Sequence, residues 1–408
     1  MTMKSIKLYW KAWAGDSQIE LDIPDNWDIS YSRINNERAL STPEIKKAIR
    51  NPIDCQPIRE KAAGKVGIAV EDITRPTQLA AVLKAMTSEL HNAGIRAENI
   101  KIFIALGGHR QMTRSECIAK FGRSFMDTYD VYQHNPYENV IDLGKTSQNT
   151  PVVVNRDFYE CDYKIGTGTV APHPWMGFSS GGKIVVPGLA GIETLEANHL
   201  SAVRGITGAF GEVQSNQARQ DIEEAARKIG LDFIVCTLVN GKRKIAAVYA
   251  GDMISAHRQA VARGQKMYAS HIIRQPDVVV LNTYPEDSEI LQATKGLNLY
   301  HATHGNIVKK GGTVILMSAC VFGRGYSALF SPGGRLHLAS KAQPGFMGEN
   351  KLIMFSPNLN EFDCRVSFPI EVEFAANWDD VLSTLKRRHT DGGKIAVYPS
   401  ATLQIPEI

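Results

Sequence analysis

The sequence predicts two α/β domains with mainly parallel sheets and an active-site cleft between the domains. Short runs rich in Val and Ile alternate with amphipathic stretches of helical period, a pattern typical of parallel strands joined by helical crossovers. The chain has 408 residues, whereas single hydrophobic cores seldom grow beyond ~250 to 300 residues. We therefore predict an amino-terminal α/β domain over residues 1–270. A carboxy-terminal α/β domain covers residues 271–408, and its last residues can pack back on the first domain.

The elements follow one another in a regular order after an amino-terminal hairpin. The first 24 residues alternate apolar and polar residues around an Ala-Gly-Asp turn, which favours a β-hairpin over a signal peptide. The first domain then has predicted strands at 65–70, 101–106, 231–239 and 245–250, and predicted helices at 78–94, 215–229 and 253–269. HIIRQP breaks this pattern, and the second domain has predicted strands in PDVVVLNTYP, GGTVILMSA, KLIMFSP and KIAVYPS and a helix in NWDDVLSTLKRRH.

Composition narrows the class of protein. The chain has 46 basic and 42 acidic residues and a net charge of +4, without a long basic block, so nucleic acid is a poor candidate partner and a small anionic substrate is a good one. The six cysteines are scattered without a C-x-x-C pair, which is typical of reduced, structural thiols. No apolar run approaches the ~20 residues that cross a bilayer. These features predict a cytoplasmic protein that binds neither membrane nor nucleic acid.

Three predicted strands of the first domain end in polar residues. Asp72, Thr74 and Arg75 follow one strand, His109 follows the next, and His173 follows YKIGTGT. Because ligands in open α/β sheets bind beyond the carboxyl ends of the strands, we expect these residues to share one site. For each histidine, a hydrogen bond that only stabilises its turn remains the alternative.

Local motifs refine two of these loops. A T-x-x-E capping box, Thr113 to Glu116, predicts a helix start that leaves His109 in the turn before it. Arg75 precedes Pro76, which is suited to the first turn of a helix, so its guanidinium and the helix N–H groups could together hold an anion. A surface ion pair is the alternative for Arg75.

The segment GFSSGGK has the G-x-x-x-x-G-K spacing of a nucleotide-binding P-loop, but its context argues against one. Ile184 replaces the Ser or Thr that binds magnesium, and prolines flank the segment where a strand and a helix are required. Gly181 and Gly182 instead predict a close approach of the backbone to a planar ligand, with Lys183 as a covalent attachment point. A Gly-Gly hairpin with a solvated lysine is the alternative.

A later histidine lies on a predicted helix. If residues 192–201 are helical, Ile192, Leu195 and His199 share one face, so the imidazole points toward apolar neighbours. A core histidine and a ligand both fit this pattern.

Four segments of the chain together resemble one family. They are D-x-T-R-P, G-G-H-R, His173 with the glycines that lead to Lys183, and the later His199. The chain is similar to the nickel-pincer-nucleotide-dependent lactate racemases and related 2-hydroxy acid racemases and epimerases. The resemblance covers nearly the whole chain, with four segments in the same order and spacing.

The resemblance implies a role for each of these residues. Lys183 would attach the cofactor, nickel pyridinium-3,5-bisthiocarboxylic acid mononucleotide, covalently, and His199 would be the protein ligand to nickel. Further cofactor contacts would come from Asp72, Ile73, Thr74 and Arg75. His109 and His173 would form the acid/base pair, and the substrate would be bound by Arg75, Gln292 and Lys295.

The implied reaction is inversion of a 2-hydroxy acid by reversible hydride transfer to the cofactor, which avoids a carbanion beside a carboxylate. Enzymes of cofactor synthesis would load the protein. The motifs do not choose among small, dicarboxylic, aromatic and sugar-derived hydroxy acids. The remaining alternatives are a non-catalytic hydroxy-acid-binding protein and an ATP-dependent one that uses GFSSGGK.

Overall fold

The computed structural model describes residues 2–203, 210–338 and 347–407. The chain forms two compact units. Unit 1 comprises Met1–Asn36, Lys266–Tyr326 and Phe330–Ile408, and unit 2 comprises Glu37–Gln265 and Ser327–Leu329.

The strands alternate with helices along most of the described chain. The strands are β1 (Met3–Trp10), β2 (Ser17–Pro24), β3 (Trp27–Tyr31), β4 (Val66–Glu71), β5 (Ile100–Ala105), β6 (Asp130–Gln133), β7 (Val140–Lys145), β8 (Pro151–Asn155), β9 (Tyr163–Thr169), β10 (Pro172–His173), β11 (Gly177–Phe178), β12 (Phe233–Val239), β13 (Ile245–Gly251), β14 (Ala269–Ser270), β15 (Val278–Asn282), β16 (Thr313–Met317), β17 (Lys351–Phe355), β18 (Glu373–Ala375), β19 (Gly393–Tyr398) and β20 (Ile405–Pro406).

The helices are α1 (Thr42–Arg50), α2 (Ile58–Lys61), α3 (Ala80–Asn92), α4 (Arg114–Phe121), α5 (Arg123–Met126), α6 (Arg156–Tyr159), α7 (Ile192–Val203), α8 (Gln217–Ile229), α9 (Ser255–Tyr268), α10 (Ile290–Ala293), α11 (Asn298–Ala302), α12 (Glu361–Ser367) and α13 (Trp378–Arg388). Short 3₁₀ helices span Ala97–Asn99, Gly181–Ile184 and Thr294–Leu297.

Unit 2 contains a six-stranded sheet in the order β13-β12-β9-β4-β5-β6. The strands from β12 to β6 pair in parallel, and β13 is an antiparallel edge strand. Every residue of β4, β9 and β12 is buried. A sheet covered on both faces requires such continuous apolar runs, which is why these strands do not alternate with polar residues.

Unit 1 contains a second six-stranded sheet, in the order β18-β17-β16-β15-β19-β3, and all its pairs are parallel. Alternate residues of β15 lie on opposite faces of the sheet. Val278 and Val280 belong to a core shared with the β1–β2 hairpin, whereas Val279 and Leu281 belong to a second core that includes residues of α10 and α11. The hairpin therefore covers one face of this sheet.

The predicted α/β class with mainly parallel sheets is confirmed, but the chain divides into units differently from the predicted domains. Residues 1–36, predicted to lie in the first domain, group with the carboxy-terminal elements. The reason is that β3 pairs in parallel with β19, with Trp27 opposite Gly393. The boundary predicted near residue 271 lies at Lys266. The last residues were expected to be able to pack on the first domain, whereas β20 pairs with β14 inside unit 1.

Candidate active site

Three loops of unit 2 meet at one edge of its sheet. The strands β9, β4 and β5 are neighbours and run parallel, so their carboxyl ends lie side by side. Asp72 follows β4, His109 follows β5 and His173 follows β9. The prediction that these strand ends share one sheet edge is confirmed.

Asp72 and His109 form a hydrogen-bonded pair. Asp72 Oδ2 lies 2.6 Å from His109 Nδ1, and Asp72 Oδ1 accepts from the backbone N–H (3.0 Å) and hydroxyl (2.5 Å) of Thr74. Nδ1 of His109 therefore carries a hydrogen, and the lone pair of the neutral ring is on Nε2. The side chain of His109 is 23% exposed and that of Asp72 is 3% exposed, so the imidazole links a buried carboxylate to solvent.

The charge of Asp72 is maintained by its neighbours. Burial alone would raise the pKa of this carboxyl group, but the charge and hydrogen bond of His109, the charge of Arg75 and the hydrogen bond of Thr74 hold the pKa below its ordinary value. Asp72 is thus an anion that orients His109.

The rest of the loop after β4 is mostly buried. Ile73 and Thr74 are 2% and 4% exposed, and Arg75 is partly buried. Pro76 was expected to begin a helix, but α3 begins only at Ala80. The expected anion site made by Arg75 together with the first turn of that helix is therefore not formed. The loop instead turns through an N–H···O bond of 3.3 Å from Arg75 to the carbonyl of Asp72.

A buried ion pair supports this loop, and no local pattern in the sequence indicates it. Lys120 Nζ donates to Glu71 Oε1 (3.2 Å) and to the carbonyl of Arg75 (2.9 Å). Glu71 in turn accepts from the backbone N–H (2.6 Å) and hydroxyl (2.9 Å) of Thr169 at the end of β9. Glu71 and Lys120 therefore tie together the loop after β4, the end of β9 and helix α4. The helix begins as predicted, with a Thr113–Glu116 capping box.

His173 has the opposite hydrogen-bond pattern to His109. Its Nδ1 accepts from the backbone N–H groups of Trp175 and Met176, both at 3.3 Å. The hydrogen of the neutral ring is therefore on Nε2. His173 is 8% exposed, so its ring is held in one orientation by the turn that follows it.

Trp175 joins His173 to His199. Its ring packs edge to face against both imidazoles, with centroid distances of 5.6 Å to His173 and 5.9 Å to His199. The two predicted residues, far apart in sequence, are therefore next to the same indole. Trp175 lies two residues from His173, but no motif in the sequence indicates this contact.

His199 lies on α7, as predicted, and has a defined tautomer. Its Nδ1 donates to the carbonyl of Leu195 at 2.8 Å, which leaves the lone pair on Nε2. Loss of hydration and the nearby charge of Lys183 lower the pKa of His199 to about 4, with a smaller contribution from His109. His199 is therefore neutral at pH 7, and His109, Lys183 and His199 are close enough for their charges to interact.

The Lys183 segment is neither a P-loop nor a hairpin. It is a 3₁₀ helix, Gly181–Ile184, that follows β11, whereas a P-loop requires a strand before the loop and an α-helix after it. The glycines also serve a different purpose from the expected one. A Cβ atom on Gly181 would lie 3.0 Å from the His257 ring, and one on Gly182 would lie 3.0 Å from the Cβ of Ala226. The space they leave is filled by α8 and α9, not by a ligand.

A distant segment also reaches the His109 loop. Ser327 forms an antiparallel bridge with His109, and the N–H of Ala328 donates to the carbonyl of Gly108 at 2.8 Å. The segment GRGYSALFSPGGRL, assigned no role from the sequence, therefore contributes Ser327–Leu329 to unit 2.

The two predicted substrate contacts, Gln292 and Lys295, lie in unit 1. Gln292 Nε2 lies 3.4 Å from Glu289 Oε1. Lys295 Nζ forms an ion pair with Glu286 Oε2 at 2.9 Å, and both side chains are largely buried. Their role in substrate binding stays a prediction.

Two features are absent from the described residues. Within residues 2–203, 210–338 and 347–407, no three or more His, Cys, Asp or Glu side chains form a group that could hold a metal ion. In the same ranges, no helix combines the length and the hydrophobicity needed to cross a membrane.

The chain is similar to known proteins along most of its length. Residues 14–208 match the family model of the lactate racemase N-terminal domain. A lactate racemase of Thermoanaerobacterium thermosaccharolyticum is 29% identical over 322 residues, which are 76% of this chain and 74% of that protein. One of Lactiplantibacillus plantarum is 29% identical over 303 residues, 73% of this chain and 70% of that protein.

Solved structures share the fold. The lactate racemase apoprotein of Thermoanaerobacterium thermosaccharolyticum superposes with a TM-score of 0.76 at 23% identity, covering 99% of this chain and all (100%) of the other. A Thermotoga maritima protein superposes with a TM-score of 0.69 at 20% identity, covering 91% and 100%.

The relatives that the chain resembles are racemases, a class of isomerase. The chain is similar to the lactate racemases, and its residues 14–208 match the model of their N-terminal domain.

Proposed function

We propose that this chain interconverts the two configurations of a 2-hydroxy acid with a nickel-pincer nucleotide attached to Lys183. The observation that carries the proposal is the state of His199, a neutral imidazole with its lone pair on Nε2, next to the charge of Lys183. The lactate racemase relatives support a hydroxy acid as the class of substrate.

The residues present fit the cofactor. A metal held mainly by an organic pincer needs few protein ligands, and a single neutral histidine suits nickel. The carbonyl of Leu195 fixes the tautomer of His199, as partners outside the ligand sphere do at metal sites. Lys183 would provide the covalent attachment, and Asp72, Ile73, Thr74 and Arg75 the further contacts.

When bound, the cofactor supplies a hydride acceptor for the carbinol carbon of the substrate. His109 takes the hydroxyl proton at Nε2, and Asp72 stabilises the imidazolium that results, since its carboxylate lies 2.6 Å from Nδ1. A carboxylate behind a histidine fixes the tautomer and the ring orientation in the same way at other catalytic sites.

His173 complements His109. Because its Nε2 carries a hydrogen, it can donate a hydrogen bond to the hydroxyl or carbonyl oxygen of the substrate. A racemase acts on both enantiomers, so a second base is needed for the opposite one. His173 takes this role in its other tautomer, in which Nδ1 carries the hydrogen and no longer accepts from the backbone N–H groups of Trp175 and Met176. Arg75 offers a cation for the substrate carboxylate, and Gln292 and Lys295 stay predicted contacts to the same substrate.

The test is coexpression with enzymes of cofactor synthesis, followed by intact mass, metal analysis and a screen of chiral 2-hydroxy acids for loss of optical activity. We expect a mass adduct and nickel in the wild-type protein and neither in Lys183→Ala. His199→Ala should keep the adduct at Lys183 but lose nickel faster to a chelator.

The matched control is Lys242→Ala, which removes an exposed lysine of unit 2. It should form the adduct and racemise like the wild-type protein. A wild-type protein without adduct and without nickel, or equal racemisation by Lys183→Ala, would exclude the proposed function.

A further inference from the structure

The loop between His173 and Lys183 is fixed by side chains that the proposed reaction does not use. Asn216 Nδ2 donates to the carbonyl of Trp175 at 2.8 Å, and His257 Nε2 donates to the carbonyl of Ser179 at 2.9 Å. These donors come from the start of α8 and from α9, so two helices hold the loop from the side opposite to β9.

Arg219 holds the loop at three further carbonyls. Its Nη1 donates to Ser180 at 3.0 Å, and its Nη2 donates to Met176 at 3.4 Å and to Phe178. The side chain is 0% exposed. One guanidinium group therefore spans five consecutive residues of the loop.

Such a buried cation is costly unless it has charged partners. Glu223, one helical turn away, already accepts both N–H groups of Arg258, at 2.8 and 2.9 Å. The Nε atom of Arg219 has no hydrogen-bond partner among the described residues. Burial of an incompletely paired charge opposes folding, and the nearby charge of Glu223 offsets part of this cost.

The backbone that Arg219 contacts is strained. Ser180 has a φ of 65°, in the left-handed region that a residue with a Cβ atom rarely adopts, and Gly181 follows with a φ of 64°. Such conformations persist only where the surroundings enforce them. The hydrogen bond from Arg219 to the carbonyl of Ser180 and that from Ser180 Oγ to the carbonyl of Gly168, at 3.1 Å, provide this constraint.

We infer that Arg219 is a positioning residue, which fixes the acid/base candidate His173 and the attachment residue Lys183 relative to each other through the carbonyls of the loop between them. This inference rests on the proposed function for its catalytic consequence. Its structural part, the fixed loop, can be tested without the cofactor.

The first experiment measures amide hydrogen exchange of the unloaded full-length protein. Arg219→Met and Arg219→Lys are compared with Arg227→Met, which removes an exposed arginine of the same helix. In both Arg219 variants we expect exchange in residues 175–186 to rise at least about tenfold, as for the loss of a charge-assisted hydrogen bond, while β4 and β9 stay protected. Arg227→Met should match the wild-type protein.

The second experiment uses protein loaded by coexpression. We expect nickel content and kcat of the Arg219 variants to fall by about 10- to 100-fold, the usual range for residues that support metal ligands. KM should change less than kcat, because the predicted substrate contacts Arg75, Gln292 and Lys295 lie outside this loop. The intact mass shows how much adduct each variant carries at Lys183.

The outcomes separate this inference from the proposed function. A wild-type protein without adduct contradicts the proposed function, whereas unchanged exchange in residues 175–186 of a folded Arg219 variant overturns the positioning role. Adduct, nickel content and kcat equal to wild type in Arg219→Met also overturn it. If neither Arg219 variant folds, the side chain is required for the fold as a whole, and the inference of a specific positioning role is wrong.

Discussion

Asp72 Oδ2 and His109 Nδ1 lie 2.6 Å apart, although the two residues follow different strands of the unit 2 sheet. Parallel pairing of β4 and β5 brings the residues together. The pair thus depends on strand register: a shift of one residue would turn the side chain of Asp72 away from His109.

The first prediction concerns the charge of Asp72 in catalysis. Asp72→Asn keeps the size of the side chain but removes the anion that stabilises protonated His109, so kcat should fall at least about 100-fold, within the range of general acid–base catalysis. Polarimetry with the 2-hydroxy acid found in the screen measures kcat. Asp127→Asn, at an exposed position, is the control, and wild-type kcat in Asp72→Asn would contradict the role given to the pair.

The second prediction concerns stability and pH. The pKa of Asp72 is lower in the folded protein than its ordinary value because His109, Arg75 and Thr74 outweigh the effect of burial. Its contribution to the free energy of unfolding is therefore present above about pH 4, the value for an unfolded aspartate, and is lost as the pH falls toward the folded-state value. Urea unfolding should show a difference in the free energy of unfolding between wild type and Asp72→Asn, and this difference should narrow from pH 7 to pH 3. A difference that stays constant or widens would contradict this contribution of the Asp72 charge.

The third prediction concerns the buried pair Glu71–Lys120. Burial lowers the pKa of Lys120, although the nearby carboxylates of Glu71 and Asp72 oppose this effect. Lys120→Met leaves Glu71 as an uncompensated buried charge and should lower the free energy of unfolding by about 3–5 kcal/mol. The double variant Glu71→Gln/Lys120→Met should recover part of this loss.

Urea unfolding at pH 7 measures this pair in a double-mutant cycle. The control is the exposed pair of Arg114 and Asp127, with an N···O distance of 3.5 Å, whose removal should cost less than about 1 kcal/mol. Equal losses at the two pairs would show that Glu71 and Lys120 do not form a buried ion pair in solution.

The fourth prediction concerns Gly181. Gly181→Ala and Gly94→Ala both place a Cβ atom at positive φ, but an added Cβ has no neighbour within 4 Å at Gly94, whereas at Gly181 it lies 3.0 Å from His257. Gly94→Ala should cost about 1–2 kcal/mol from backbone strain. Gly181→Ala should cost a further ~1–3 kcal/mol from overpacking. Urea unfolding of the two variants compares them, and an equal cost would contradict the close packing of α9 against this segment.

The sequence could predict the features that local patterns encode. Val- and Ile-rich runs identified β4 and β5, and the Thr113–Glu116 box identified the start of α4. The parallel order of these strands then follows from the alternation with helices, so the gathering of Asp72, His109 and His173 at one sheet edge was predictable before the structure was known.

Other features depend on contacts between distant residues, and no local pattern encodes them. Lys120 on an amphipathic helix is usually solvated, and only its distance to Glu71 shows it to be buried. Ser327 joins the His109 loop across a separation of more than two hundred residues. Gly181 and Gly182 leave room for a neighbour whatever that neighbour is, so the sequence alone could not distinguish a ligand from helices α8 and α9.

The pairing of β3 with β19 has a consequence for synthesis of the chain. Unit 2 draws nearly all its residues from one continuous stretch, so most of it can fold while translation continues. The sheet of unit 1 pairs Trp27 with Gly393, so β3 must wait until the residues from Gly393 onward have been made. During that interval the β1–β2 hairpin exposes the apolar face that later covers the sheet, and this early segment is where we expect a nascent chain to need a chaperone.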